Sequence, residues 1–183
     1  MTLPQEASRP APASDLASPR APFEAPPLPF DWPEMICHPK DLATLDGVWE
    51  QITAALAAVP ESTEDPTLTR RKAVTAALSA ARQAGRDRIA AAFETSPRAS
   101  RPLVHAYAYL TDMIVISALR AVTEVLCPPA EGKTPQRFAM LAVGGYGRAE
   151  MAPHSDVDLL FLLPGSIDAR TSDIIQTLLY ILW

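Results

Sequence analysis

From Asp41 onward, apolar side chains return every three or four positions, at Leu42, Leu45, Trp49, Ile52, Leu56 and Val59. That spacing gathers them on one face of a helix, which ends near Pro60. A polar turn runs from Glu61 to Pro66. Val74, Leu78, Ala81, Ile89 and Phe93 then mark a second, alanine-rich helix over 67–94, weakened at Gly85, because glycine is a poor helix former. Residues 103–126 are apolar on most faces, through Val104, Tyr107, Leu110, Ile114, Val115, Leu119 and Val122. They predict a central helix, stopped by Pro128 and Pro129. The period then shortens. Two compact apolar runs, 137–143 and 157–163, fit short strands of a buried sheet. Ser166 or Asp168 is placed to cap a last helix through Ile174, Leu178 and Ile181. Helices first and strands afterwards predict an α+β fold.

Ahead of this pattern, ten of the 19 prolines fall before residue 40, in a stretch without glycine. Each removes a backbone donor and holds its predecessor extended, so residues 1–39 are expected to form a disordered or polyproline-like tail. Its Phe23, Phe30 and Trp32 either dock on a partner or lean on the first helix. The expected organisation is therefore a tail over 1–39, a helical region over 40–135 and a sheet-containing region over 136–183. A chain of 183 residues suits one domain with an extension.

Composition narrows the function classes. Hydrophobic residues make up 48% of the chain, enough for a real core, yet no uncharged apolar run approaches the ~18 residues of a membrane span. The formal charge of −5 supplies no general basic field to gather nucleic acid, so any phosphate site must be local. Cys37 and Cys127 match no metal-ligand spacing and read as free, reduced thiols of a cytoplasmic protein. The amino terminus has no secretory-signal pattern.

Chemistry concentrates in residues 142–163, AVGGYGRAEMAPHSDVDLLFLL. A strand ending in Gly144 and Gly145 lets the backbone approach a ligand closely, as a phosphate cradle does. The dinucleotide fingerprint fails, because Glu150 stands where its third glycine belongs. Asp156 and Asp158, two apart at the head of an apolar strand, point to one side, where their repulsion calls for a cation. Magnesium suits such hard oxygen ligands together with substrate phosphates. A lone Asp-X-Asp in a turn is more often a cap or a solvated edge; the glycine pair, with ten residues between Gly145 and Asp156, raises this one above that reading. His154 reads as solvent-facing, His105 as a core or interface histidine, and His38 as part of the tail.

This combination resembles the polymerase-beta-type nucleotidyltransferase superfamily. GGYGRAEMAPHSDVDLLFL is similar to the signature of the bacterial uridylyltransferase/uridylyl-removing enzymes of PII signalling, where GGYGRGEL is followed by a proline and then SDIDLL. The helix AYLTDMIVISALRAV is also similar, with less specificity. Ala149 replaces a common glycine and Met151 a leucine; the first change tightens the turn if a glycine conformation is needed there. The resemblance implies the start of a mixed sheet, Mg²⁺ on Asp156 and Asp158, and triphosphate contacts from Gly144 and Gly145. Arg148 is either a phosphate clamp or an exposed partner of Glu150. Ser155 either donates to phosphate or caps the turn, while Tyr146 packs. The implied reaction is transfer of UMP from UTP to a tyrosine of PII. It also implies a third carboxylate on a later strand and, further on, phosphohydrolase and glutamine-sensing domains, so the chain is expected to be an amino-terminal fragment, inactive alone. The rivals are another nucleotidyltransferase, of the glutamine synthetase adenylyltransferase or CBS-associated type, and a non-catalytic helical interaction module.

Overall fold

The computed structural model describes residues 34–182. Phe23, Phe30 and Trp32 of the expected tail, and Trp183, lie outside them. The described end of that tail is packed: Met35, Ile36 and Cys37 rest against the core, and the Ile36 amide donates to the Pro102 carbonyl at 3.1 Å.

Helix α1 spans Pro39–Leu42, α2 Leu45–Ala57, α3 Pro66–Thr95 and α4 Ser100–Ala121. A π-helical turn at Val122–Leu126 prolongs α4. Local chemistry sets the starts. The Thr44 hydroxyl accepts the Gly47 amide at 3.1 Å, and the Asp65 carboxylate accepts the Leu68 amide at 2.9 Å with Pro66 at the first helical position. Helix α4 is the centre of the molecule. Its Ala106, Tyr107, Leu110, Met113, Ile114 and Ala118 are all buried, along with Ile52 of α2 and Val74, Leu78 and Ile89 of α3. Ser100–Leu126 is long and apolar enough to cross a membrane by length and composition, but 56% of its most apolar window is buried within the fold. That apolarity serves the core.

Gly85 does not weaken α3, which runs unbroken for 30 residues. A Cβ there would lie 2.5 Å from Leu110 Cδ1, so the glycine is the place where α4 comes close. The expected helix cost is offset by contact between two helices.

Strand β1 is Ala139–Ala142 and β2 is Leu159–Leu162, paired antiparallel with Ala142 opposite Leu159. The turn α5, Gly144–Gly147, begins the connection between them. The sheet is not buried as expected. Phe138, Met140, Leu159 and Phe161 pack towards the core, whereas Leu141, Leu160 and Leu162 are 39–49% exposed. Only one face of this two-stranded sheet is covered among the described residues. Helix α6, Ala169–Leu182, packs against α3, α4 and the π-helical turn, with the Thr171 amide donating to Asp168 Oδ1 at 2.7 Å; of the two candidate caps, Asp168 acts. Ile174 and Leu178 are fully buried by the described residues themselves. Arg170 donates to the carbonyls of Cys127 and Thr123, so α6 also satisfies the open end of the π-helical turn.

Candidate functional site

The site forms where β1 gives way to α5. The Val143 amide donates to the Asp158 carbonyl at 3.1 Å, extending the β1–β2 ladder by one residue and setting Asp158 beside the glycine pair. Gly144 adopts a φ of +60°, and a Cβ on it would stand 2.5 Å from Asp158 Oδ2. Glycine is required there twice, by conformation and by the closeness of the carboxylate. Gly147 is equally constrained, since its Cβ would lie 2.7 Å from the Ala142 carbonyl oxygen. No side chain caps the start of α5, which leaves its first amides uncovered by protein side chains.

Tyr146 anchors the turn from below. It is buried, and its hydroxyl donates to Asp112 Oδ1 on α4 at 2.6 Å. Burial raises the Asp112 carboxyl above its ordinary value, while the bond from Tyr146 acts in the opposite direction. Burial first, and then Asp112, raise the Tyr146 phenol. Packing is thus the role of Tyr146, as expected, but its partner Asp112 was not singled out from sequence. The signal was present: a carboxylate inside the apolar run YLTDMIVI needs a donor.

Asp156 and Asp158 are both exposed and lie in the extended segment just before β2. Asp158 shares its side of the strand with Leu160 and Leu162, and that side is open, whereas the sequence pattern was expected to carry it into the core. Arg148 bends back over the turn, its Nη1 donating to the Gly144 carbonyl at 2.9 Å and its Nε to Glu150 at 3.0 Å. Ser155 Oγ accepts the Ala152 amide at 2.8 Å, which leaves the hydroxyl proton to donate elsewhere. His154 is exposed, and His105 is half-buried with its Nδ1 3.1 Å from the Glu34 carbonyl. Cys37 and Cys127 are free.

Two carboxylates with open space around them suit Mg²⁺, which keeps several waters and uses one or two protein carboxylates plus substrate phosphates. Among the described residues no group of three or more His, Cys, Asp or Glu side chains is gathered to hold a metal. Asp158 is the carboxylate that the turn holds against the glycine pair.

Comparison with known proteins bears on this geometry. The family model described as glutamate-ammonia ligase adenylyltransferase matches residues 33–174. The chain is 48% identical over 136 residues to a bifunctional uridylyltransferase/uridylyl-removing enzyme of Ruegeria pomeroyi, covering 74% of this chain and 14% of that one. It is 50% identical over 106 residues to the enzyme of the same name from Cereibacter sphaeroides, 58% of this chain and 11% of that one. The Azospirillum brasilense enzyme of that name is 37% identical over 113 residues, 62% of this chain and 12% of that one. The chain thus spans less than a sixth of the length of these relatives. No solved structure matches it. With the matched region running from the packed end of the tail into α6, and the glycine turn and both carboxylates inside it, the chain belongs to the glutamate-ammonia ligase adenylyltransferase family of nucleotidyltransferases.

Proposed function

We propose that this chain carries the nucleotide-binding part of a cytoplasmic enzyme that transfers UMP from UTP to a tyrosine of the PII signalling protein. The observation that carries the reading is Asp158 Oδ2 standing where a Cβ on Gly144 would otherwise go, with Asp156 two residues earlier. The Gly144–Gly145 backbone and the two carboxylates then serve one ligand. Gly144 and Gly145 let the triphosphate approach the backbone. Asp156 and Asp158 would hold Mg²⁺, which when bound offsets charge on the phosphates and the departing pyrophosphate. Arg148, about two-thirds exposed at the rim, has a planar guanidinium suited to bidentate phosphate contact if it leaves Glu150. These groups position and neutralise; no protein nucleophile is required.

The names of the uridylyltransferase relatives support a uridylyl group as the one transferred. A second reading, transfer of AMP from ATP, is favoured by the description of the matching family model. The test measures binding of α-labelled UTP and ATP in Mg²⁺, followed by label transfer to PII in the presence of the chain. Tighter binding of UTP supports the first reading and tighter binding of ATP the second. The described residues contribute two carboxylates of the three that the resemblance implies, so weak binding with no measurable transfer is expected from the chain by itself. Robust transfer would contradict that two-carboxylate account, and failure to bind either nucleotide would overturn both readings.

A further inference from the structure

On the other side of the same loop lies a cleft between α3, α4 and the segment 151–157. Ser155 and Val157 line it and Asp156 and Asp158 do not, as alternation along an extended segment requires. Two arginines of α3, Arg82 and Arg86, form one wall. They stand four residues apart on one helical face, an arrangement that is unfavourable for like charges unless something negative lies nearby. No Asp or Glu lines the cleft, although the chain as a whole carries a formal charge of −5. Neither arginine forms a salt bridge among the described residues. Arg86 is held over the Tyr107 ring at 5.8 Å, which orients its guanidinium without neutralising it. The neighbouring acids are engaged: Asp87 accepts from Gln83 at 2.7 Å, and Asp112 accepts from Tyr146. The floor is apolar, with Leu110, Ile114 and Met151; Ser155 adds a hydroxyl at its edge, while the Thr111 hydroxyl donates to the Tyr107 carbonyl at 2.8 Å.

We infer that this cleft is a second anion site, for a phosphate-bearing small molecule whose apolar or planar portion rests on the floor. Two unneutralised guanidiniums are matched in geometry and charge to phosphate oxygens. The site takes its ligand without metal, because no carboxylate lines it. It shares the 151–157 loop with the carboxylate turn, so occupancy couples directly to the segment that carries Asp156. The inference stands on the cleft alone and does not require the nucleotidyl-transfer reading.

The test is isothermal titration of the 183-residue chain with inorganic pyrophosphate in EDTA, which removes any contribution from a metal at Asp156 and Asp158. Saturable, salt-sensitive binding is expected. Arg82→Gln with Arg86→Gln should weaken it about tenfold or more, the loss expected for removing hydrogen bonds to a charged group. Arg82→Lys with Arg86→Lys should keep part of it. Asp156→Asn with Asp158→Asn should leave it unchanged, while abolishing any Mg²⁺-dependent UTP binding; the two sites therefore fail separately. Should loss of the Arg86 contact with Tyr107 impair folding, the exposed Arg82→Gln variant carries the test by itself. No saturable pyrophosphate binding by the wild type, or equal affinity in the Arg82→Gln variants, would overturn the inference.

Discussion

Ala149 holds a φ of +59°, a left-handed conformation that costs a residue with a Cβ about 1–2 kcal/mol. The related signature commonly has glycine here, and the alanine retains the conformation because the turn fixes it: its amide donates to the Tyr146 carbonyl at 2.9 Å, and the next amide returns to Gly145. Ala149→Gly relieves the strain but frees the unfolded chain, so a net stabilisation of about 0.5–1 kcal/mol is expected in urea unfolding. An unchanged or lowered midpoint would contradict it. Asp112 makes a second, pH-dependent prediction. Burial raises its folded value above the ordinary 3.8, so the folded state retains a proton that the unfolded chain gives up. The stability this contributes is complete below the unfolded value and is lost as pH rises through the folded one. Asp112→Asn keeps an oxygen for Tyr146 and carries no charge, so its stability should gain on the wild type from acid to neutral pH. A gap that stays constant across that range would show that Asp112 is not the titrating group.

Contact between α3 and α4 depends on the missing side chain at Gly85. Gly85→Ala gains about 1 kcal/mol of helix propensity but drives a methyl against a buried leucine, and overpacking of that kind costs about 1–3 kcal/mol. Net destabilisation is expected, and Leu110→Val in the same chain should recover part of it. A more stable Gly85→Ala single variant would contradict the close approach. The same position shows where sequence reading stops. Periodicity alone placed the four longer helices and both strands, though neither the short α1 nor the α5 turn, because Val74, Leu78 and Ile89, or Ile174 and Leu178, repeat with the period of the element they form. It read Gly85 as a weakness because propensity is local, whereas Leu110 is reached only through the tertiary fold. The sheet was misjudged for a related reason. A short apolar run does not say whether one face or both are covered, and Leu160 and Leu162 are open. At the candidate site, Gly144 and Asp158 were legible from spacing. Asp112 beneath it, and Arg82 and Arg86 in the separate cleft, were not, because helices distant in sequence bring them to the chain between β1 and β2.

The molecule is a helical body with a small sheet leaning on it, and the uncovered side of that sheet carries Leu141, Leu160 and Leu162 next to the carboxylates. Exposed apolar strand faces favour association, so Leu160→Ser with Leu162→Ser should raise solubility with little change in unfolding midpoint; a large loss of stability would mean that this face packs inward. The glycine turn rests on α4 through Tyr146 and on β2 through Asp158, so the candidate site is tied to both parts of the fold. That arrangement has a purpose only if the turn and the two carboxylates act on one ligand. Titrating UTP into the wild-type chain with and without Mg²⁺, and into Asp156→Asn with Asp158→Asn, tests this most directly. Binding is predicted to need Mg²⁺ and to disappear in the double variant while the thermal midpoint holds. UTP binding that is indifferent to both the metal and the carboxylates would contradict it.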